Sequence, residues 1–228
     1  MSQIDTQSQS PEPIVHVSEP VTLAGGADFS VDHLNISLRS APHLVCADGG
    51  ANAVLASGHT PVAVIGDLDS LSPEARAAFA DRLHAIDDPD TTDFEKVVDR
   101  TDAPLLLALG FLGGRLDHTP ATLNAMARRP RRPLVLLGPE DVVFLAAPDT
   151  RLALPTGTPI ALLPLGEAQL TTTGLRWNLT EARLAPDGKI SSSNETAEPE
   201  VRIICDGPVA ITLPPEHLGV ATAAVLAR

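Results

Sequence analysis

Two aspartates that follow an apolar run are the first residues in this sequence that could do chemistry. The segment PVAVIGDLDSL, residues 61–71, passes from an apolar stretch into Asp67 and Asp69. Side chains at positions i and i+2 of an extended segment point the same way, so the two carboxylates could address one cation. An isolated pair of this kind is more often a solvated turn, and the rest of the sequence has to decide between the two interpretations.

Three further loops carry polar groups where apolar runs end or helices begin. CADGGAN contains Asp48, Gly49 and Gly50; DDPDTTDFEK contains Asp88, Asp90, Thr92, Asp93 and Lys96; LGGRLDHT contains Gly113, Gly114, Arg115, Asp117 and His118. Ligands of open α/β sheets bind beyond the carboxyl ends of the strands. Four such loops together favour one shared site over four independent turns.

These residue types indicate Mg²⁺ with a polyphosphate. Mg²⁺ prefers one or two carboxylates plus phosphate oxygens and water, whereas transition metals take His or Cys clusters. Glycine pairs let backbone N–H groups approach phosphates closely, and Arg115 could neutralise charge on a transferred phosphoryl group. The alternatives are an Arg115–Asp117 pair that only locks its loop, a solvated Lys96 and a helix-start His118. The Walker A pattern is absent from the sequence, which disfavours an ordinary P-loop NTPase.

Trp177 is the only tryptophan, and it stands among polar residues in TTTGLRWNL. A lone tryptophan is commonly a core anchor. Its polar setting also allows a stacking platform for a planar or cationic ligand.

Alternating apolar runs and helical segments predict an α/β layer with a mostly parallel sheet over residues 21–148. Strands are predicted at 21–26, 43–50, 62–67, 104–110, 133–138 and 141–147, because near-continuous apolar runs suit parallel strands covered on both faces. Helices are predicted in 51–58, 72–83, 92–100 and 116–129, with Ser72 as an N-cap and Thr92 opening its helix.

Residues 149–228 have a different texture. Gly, Pro and Asn recur about every ten residues, and short runs at 159–165, 168–174, 201–206 and 209–214 predict the strands of an antiparallel β-sandwich or barrel-like domain. The last stretch, EHLGVATAAVLAR, is left open between a short helix and a tail. Residues 1–20 are predicted to be a disordered polar leader without the features of a secretory signal.

The composition of the chain limits the classes of partner that it could bind. The chain of 228 residues has 29 acidic and 16 basic side chains, a formal charge of −13, which argues against nucleic-acid binding. An anionic substrate would need a bound metal or local cations. Apolar runs stay well short of the roughly 20 residues of a membrane span, so a cytoplasmic protein is expected. Cys46 and Cys205 are interpreted as buried hydrophobes rather than a disulfide or metal ligands.

Taken in order, the motifs resemble the thiamin pyrophosphokinase (thiamine diphosphokinase) family. They are ADGGAN, VIGDLDSL, DPDTTDFEK, LGGRLDHTPATLN, TTTGLRWNLT and SSSN, and they span about residues 21–213. The resemblance implies an α/β domain followed by a β-sandwich, in a homodimer whose active sites lie between the α/β domain of one subunit and the sandwich of its partner. It also implies transfer of the diphosphate of ATP to the hydroxyl of thiamin, which gives thiamin diphosphate and AMP.

The resemblance assigns Asp67, Asp69 and Asp90 to Mg²⁺ and the ATP phosphates, with Arg115 and Asp117 completing the phosphate side. The other residues that it places on the ATP side are Asp48, Gly49, Thr92, Asp93, Lys96 and Gly114. On the thiamin side it places Trp177, Ser193 and Asn194, contributed by the second subunit.

The sequence departs from the family pattern at two positions. Pro89 stands where some relatives have Gln, which removes a possible hydrogen bond to the pyrimidine, and His118 stands where others can have Gln. The alternatives are a diphosphokinase for another hydroxymethyl substrate, such as a pterin, and a non-catalytic protein that binds thiamin or nucleotide.

Overall fold

The computed structural model describes residues 11–228. Its strands are β1 Val15–His16, β2 Val21–Ala24, β3 His43–Ala47, β4 Ala63–Gly66, β5 Leu83–Ala85, β6 Thr101–Asp102, β7 Leu106–Leu109, β8 Leu134–Leu137, β9 Val142–Leu145, β10 Asp149–Ala153, β11 Pro159–Pro164, β12 Ala168–Thr173, β13 Ala182–Leu184, β14 Ser191–Glu195, β15 Glu200–Cys205 and β16 Val209–Leu213. Its α-helices are α1 Val31–Ser40, α2 Gly50–Ala56, α3 Pro73–Ala78, α4 Asp93–Asp99, α5 His118–Ala127 and α6 Leu218–Leu226.

One ten-stranded sheet runs through the molecule in the order β14-β11-β16-β9-β8-β7-β2-β3-β4-β5. The pairs from β8 to β5 are parallel, and the pairs from β8 to β14 are antiparallel. A second, four-stranded antiparallel sheet has the order β10-β15-β12-β13. The predicted fold class, an α/β layer with a parallel sheet followed by an antiparallel sandwich, is confirmed.

The large sheet crosses the boundary expected near residue 148. Strand β9 runs antiparallel to β8 and would leave an open edge, and β16 from the C-terminal part pairs with that edge. Burial alternates along β10 and β11, so that Leu152 and Leu162 face the same core between the two sheets. The sandwich therefore consists of the small sheet and the antiparallel end of the large one.

Short side-chain caps begin the helices that border the sheet. Ser72 Oγ accepts from the Ala75 N–H at 3.1 Å, and Pro73 occupies the first turn of α3. Thr92 caps α4, as the sequence predicted. The C-terminal stretch that was left open forms α6, which packs on β8, β9 and β10.

The prediction of a disordered leader over residues 1–20 is wrong for residues 11–20; residues 1–10 lie outside the described part. The backbone N–H groups of Ile14 and Val15 donate to the Arg100 carbonyl at 2.8 and 3.0 Å, and β1 pairs in parallel with β6. Val15 is buried in the core on the α4 side of the sheet. The physical reason is the apolar Ile14 and Val15, which bury area that a purely polar leader would not have.

Both cysteines are free and buried, as expected, and burial raises the pKa of each thiol. Within residues 11–228, no helix has both the length and the apolar character needed to cross a membrane.

Candidate active site

The carboxyl ends of five adjacent strands, β7, β2, β3, β4 and β5, lead into loops that border one cleft of about 710 Å³. The residues predicted from the sequence that line it are Asp48, Gly49, Asp67, Thr92, Asp93, Lys96, Gly114 and Arg115. Parallel strands end at the same edge of a sheet, so loops far apart in sequence meet here. The expectation that the loops share one crevice is therefore met by these eight residues.

Asp48 is the most deeply buried charged group of the cleft, at 1% exposure. Its Oδ2 accepts from the Ser70 N–H at 3.3 Å, while Oδ1 has no hydrogen-bond partner within the described chain. Burial raises the pKa of the Asp48 carboxyl, and the nearby charges of Asp93 and Asp67 raise it further. The sequence motif located this residue but gave no sign of its burial.

Asp67 and Asp69 come together through a turn rather than along an extended segment, so the premise that an extended strand aligns them is wrong. Leu68 between them has φ +67°, in the left-handed region, and its carbonyl accepts from Arg76 Nη2 at 2.5 Å. The Asp69 N–H lies 3.4 Å from Asp67 Oδ1. The turn keeps the two carboxylates close together, and the buried Leu68 side chain anchors it.

One carboxylate oxygen each of Asp48, Asp67 and Asp69 lies within 4.8 Å of the others. Asp90, the third member of the set expected from the resemblance, does not belong to this group. Its backbone N–H instead donates to Asp88 Oδ1 at 3.0 Å in the loop before α4. The carboxylates that the fold brings together are thus Asp48, Asp67 and Asp69.

Lys96 is buried and paired with two of the acidic residues, contrary to a solvated role. Its side chain is 4% exposed, and Nζ donates to Asp67 Oδ2 at 2.9 Å and to Asp93 Oδ1 at 3.3 Å. Burial lowers the pKa of Lys96, but the bonds to the two carboxylates outweigh it and leave the pKa raised. The same ammonium lowers the pKa of Asp67. Lys96 therefore stays charged and keeps Asp67 ionised.

Glu95 fixes the start of α4, a role that the sequence analysis missed. Its side chain is 5% exposed, and Oε2 accepts from the Thr92 N–H and Oγ1, each at 3.1 Å. Its Oε1 meets Arg128 and Arg129 beyond the end of α5, and Arg129 also binds Asp99 through two bonds of 2.6 and 2.5 Å. This Glu95 network ties together the two helices whose first turns border the cleft.

The available sequence signal for the Glu95 network was the capping box, in which Thr92 and a glutamate three residues later bond each other. Burial raises the pKa of Glu95, but the Thr92 bonds and the Arg128 charge together hold it below its usual value.

Arg115 lines the cleft on a loop with unusual backbone freedom. Gly113 and Gly114 have φ of +84° and +69°, and a Cβ at Gly113 would meet nothing within 4 Å. The Arg115 guanidinium donates two hydrogen bonds to the Asp117 carboxylate, of 3.2 and 2.7 Å, and both side chains are mostly exposed. The hydrogen bonds from Arg115, together with its charge, lower the pKa of Asp117. The Arg115–Asp117 pair expected as one alternative is thus present, and it holds the guanidinium at the rim of the cleft.

Trp177, Ser193 and Asn194 lie together but do not line the cleft. Trp177 is 55% exposed, so it is not a core anchor, and its backbone exchanges bonds of 3.2 and 2.9 Å with the buried Asn194 amide. Ser193 has φ +57° in edge strand β14. Five strand spacings of about 4.8 Å separate β14 from β7, roughly 24 Å across the sheet.

The loop after β2 also borders the cleft, and the sequence analysis did not assign it a role. Gly26, Ala27 and Asp28 contribute to the lining. The signal was present, since Gly25 and Gly26 end an apolar run just as the other glycine pairs do. A Cβ at Gly25 would lie 2.4 Å from the Gly110 carbonyl, so only glycine lets these two loops approach.

Comparison with known proteins identifies the same two parts of the chain. The model for the thiamin pyrophosphokinase catalytic domain matches residues 34–136, and the model for the thiamin pyrophosphokinase vitamin B1 binding domain matches residues 149–210. Solved thiamin pyrophosphokinases from Candida albicans and from yeast share the fold. The first has a TM-score of 0.73 at 18% identity and covers 90% of this chain and 94% of its own. The yeast structure has a TM-score of 0.70 at 20% identity and covers 96% and 90%.

Curated relatives agree. Thiamine pyrophosphokinase 1 of Oryza sativa subsp. japonica is 33% identical over 207 residues, 74% of this chain and 77% of its own. Thiamine pyrophosphokinase 1 of Arabidopsis thaliana is 28% identical and covers 93% of this chain and 95% of its own. With both domain models matched in order and this identity over most of its length, the chain belongs to the thiamin pyrophosphokinase family.

Proposed function

We propose that this chain transfers the diphosphate of ATP to the hydroxyl of thiamin, giving thiamin diphosphate and AMP. The observation that carries the proposal is the cleft at the carboxyl edge of the sheet, where three carboxylates converge beside the buried Lys96 and Arg115 lines the rim. The match to a vitamin B1 binding domain favours thiamin over another hydroxymethyl substrate.

The residues of the cleft fit a divalent cation. Asp48, Asp67 and Asp69 offer hard oxygen ligands, and the Oδ1 of Asp48 is a buried acceptor without a partner in the described chain. When bound, Mg²⁺ would supply charge neutralisation for the ATP phosphates. Asp67 and Asp69 are the ligands on which the resemblance and the geometry agree.

Positioning and charge neutralisation by the protein would do most of the remaining work. The thiamin hydroxyl oxygen bonds to the β-phosphorus and its proton is released to solvent, while the bond from that phosphorus to the α,β-bridging oxygen breaks and AMP leaves with the oxygen. Lys96 offsets the charge of Asp67 and Asp93 and holds both in place. Arg115 would exchange Asp117 for phosphate oxygens, which its planar guanidinium can bind through two bonds.

The backbone of the cleft leaves room for phosphate oxygens to approach its N–H groups. Gly49 and Gly114 line the cleft without a side chain. Thr92 and Asp93 begin α4 at the same wall, and the Glu95 network holds that wall to α5.

For thiamin, we propose that the active unit is a homodimer. Trp177 is exposed and bonded to Asn194 of edge strand β14, which lies roughly 24 Å across the sheet from β7 at the cleft, so a second copy would have to bring this ring to the ATP side. A cationic thiazolium ring suits an indole face. Arg176 lies 4.9 Å above the Trp177 ring centroid, a position that a cationic ligand could take over.

Three expectations remain proposals alongside this function. Asp90 is assigned to the phosphate side by the resemblance alone. Pro89 is expected to weaken thiamin binding, because it lacks the amide that a Gln would offer. A cytoplasmic location stays a prediction from the sequence.

The test is to incubate the purified chain with ATP, Mg²⁺ and thiamin and to quantify nucleotides and thiamin esters. AMP formed in step with thiamin diphosphate supports the proposal. ADP with thiamin monophosphate would indicate a monophosphate kinase, and tight binding of thiamin without turnover would indicate a non-catalytic binder. A pterin alcohol offered in place of thiamin tests the other substrate class.

A further inference from the structure

We propose that Asp48 is a direct ligand of the divalent cation together with Asp67 and Asp69, and that Asp90 is not. This inference rests on the proposed function only for the role that the bound cation plays in the reaction. The binding itself is measured without nucleotide or thiamin, so the two can fail separately.

The first argument is the unsatisfied oxygen of Asp48. The residue is 1% exposed, Oδ2 has the Ser70 N–H at 3.3 Å, and Oδ1 has no partner among residues 11–228. Buried polar groups in native proteins are hydrogen-bonded or bind an ion, because an unpaired buried charge is costly. A cation beside Oδ1 would supply the missing partner.

The second argument is the backbone that places this carboxylate. Asp48 has φ +40°, a conformation that is uncommon for a residue with a side chain. A Cβ on Gly66 would lie only 2.7 Å from Asp48 Cβ, so a glycine at the end of β4 makes room for it. The missing side chain at Gly66 gives Asp48 its room, and the surrounding structure holds the residue in a backbone conformation that is itself unfavourable.

The third argument is the balance of charge. Carboxylate oxygens of Asp48, Asp67 and Asp69 lie within 4.8 Å of one another. The nearby cation, Lys96, bonds to Asp67 and Asp93 and makes no hydrogen bond to Asp48. Three like charges this close repel one another, and a divalent cation bound between them removes the repulsion.

Asp90 lacks each of these features. It is exposed, its N–H is bonded to Asp88 Oδ1 at 3.0 Å, and it is not one of the three clustered carboxylates. Asp90→Asn is therefore the matched control for Asp48→Asn. Each variant exchanges an aspartate of one family motif for its amide.

The experiment measures Mn²⁺ binding by isothermal titration calorimetry and Mg²⁺-dependent thermal unfolding, on the full chain without substrates. We expect Asp48→Asn to weaken Mn²⁺ binding at least tenfold and to lose the rise in Tm with Mg²⁺. Asp90→Asn should stay within about twofold of the unsubstituted chain. Without metal, Asp48→Asn should have an equal or higher Tm, because the unpaired buried charge is gone; a purely structural Asp48 would lower it.

Asp48→Gly is the second variant if the amide impairs folding, because glycine adopts the positive φ without strain. It should lose the same cation affinity. Normal Mn²⁺ binding by either folded Asp48 variant, a loss caused by Asp90→Asn instead, or absence of divalent cation binding in the unsubstituted chain would overturn the inference. Cation binding that depends on Asp48 in a chain unable to form thiamin diphosphate would leave the inference standing and refute the proposed function.

Discussion

The two ends of the large sheet differ in whether their buried polar groups find partners within the described chain. At the carboxyl ends of β3 and β4, Asp48 has an unpaired buried oxygen and Leu68 has a left-handed backbone. At the β14 edge, the buried Asn194 amide bonds the Trp177 backbone in both directions, and Glu195 pairs with Arg176 at 2.6 Å. The first region leaves a buried carboxylate oxygen unpaired within the described chain, whereas the second satisfies its own polar groups and exposes an aromatic ring.

This difference suggests how the two regions would serve a shared reaction. The cleft holds more acidic charge than its buried Lys96 can balance, so changes there should affect catalysis more than stability. Around Trp177, at the β14 edge, the polar groups are already hydrogen-bonded within the chain. Changes at this edge should therefore affect the binding of one substrate. The Glu95 network belongs to neither class, because its buried bonds hold helices together beneath the cleft.

The largest expected effect is that of Asp67→Asn in the cleft. Loss of a carboxylate that we propose as a metal ligand, and that is also the partner of Lys96, should lower kcat by about 10²-fold or more, several kcal/mol of transition-state stabilisation. Steady-state rates at saturating Mg²⁺, ATP and thiamin measure it. Asp187→Asn, at an exposed turn, is the control and should be neutral. Near-normal turnover of Asp67→Asn would remove this residue from the metal site.

A smaller and more selective effect is expected of Trp177→Ala at the other end of the sheet. Loss of the indole face should raise KM for thiamin about tenfold to thirtyfold, which corresponds to about 1.4–2 kcal/mol of stacking and cation–π attraction. KM for ATP should stay within about twofold. Trp177→Phe should recover part of the loss. Equal changes in both KM values would mean that Trp177 acts through the fold rather than on thiamin.

The smallest effect on catalysis is expected of Glu95→Gln, which should act mainly on stability. Weakening buried bonds to Thr92 and two arginines should lower the free energy of unfolding by about 2 kcal/mol at pH 7. The matched control is Glu140→Gln, at an exposed position. Urea unfolding measures the difference, and kcat of the folded enzyme should change less than about threefold.

The pH dependence of this difference has a definite sign. The pKa of Glu95 in the folded chain lies below its usual 4.5, so its stabilisation is present above that value and is lost as pH falls through the folded pKa. The gap in unfolding free energy between the unsubstituted chain and Glu95→Gln should therefore be largest near neutral pH and shrink as the pH falls below 4.5 and through the lower folded pKa. A gap that is constant from pH 7 to pH 3 would show that the carboxylate charge is not what stabilises α4.

Local patterns were enough to predict much of this architecture. Apolar runs located the strands of the parallel layer, and Ser72 and Thr92 marked helix starts because capping depends on residues three positions apart. The acidic loops were predicted to meet because parallel strands end at one edge. Resemblance to a family then supplied the reaction, which no spacing of residues could specify.

What the sequence could not predict depends on contacts between distant residues. Arg128 reaches Glu95 across 33 positions, and β1 forms only because β6 offers it a partner. The burial of Asp48 requires room beside Gly66, and the turn at Leu68 is held by Arg76. Such features follow from packing, so a motif can identify the residue but not its environment.

The most direct test of the central claim, that the cleft of one chain works with the Trp177 edge of another, is complementation between two defective variants. Asp67→Asn and Trp177→Ala chains are unfolded together, refolded as a mixture and assayed at limiting thiamin. Random pairing makes half of the dimers mixed, and each mixed dimer has one site with an intact cleft and an intact tryptophan. The account predicts recovery to about a quarter of unsubstituted activity. Activity no higher than the average of the two variants refolded separately would contradict it.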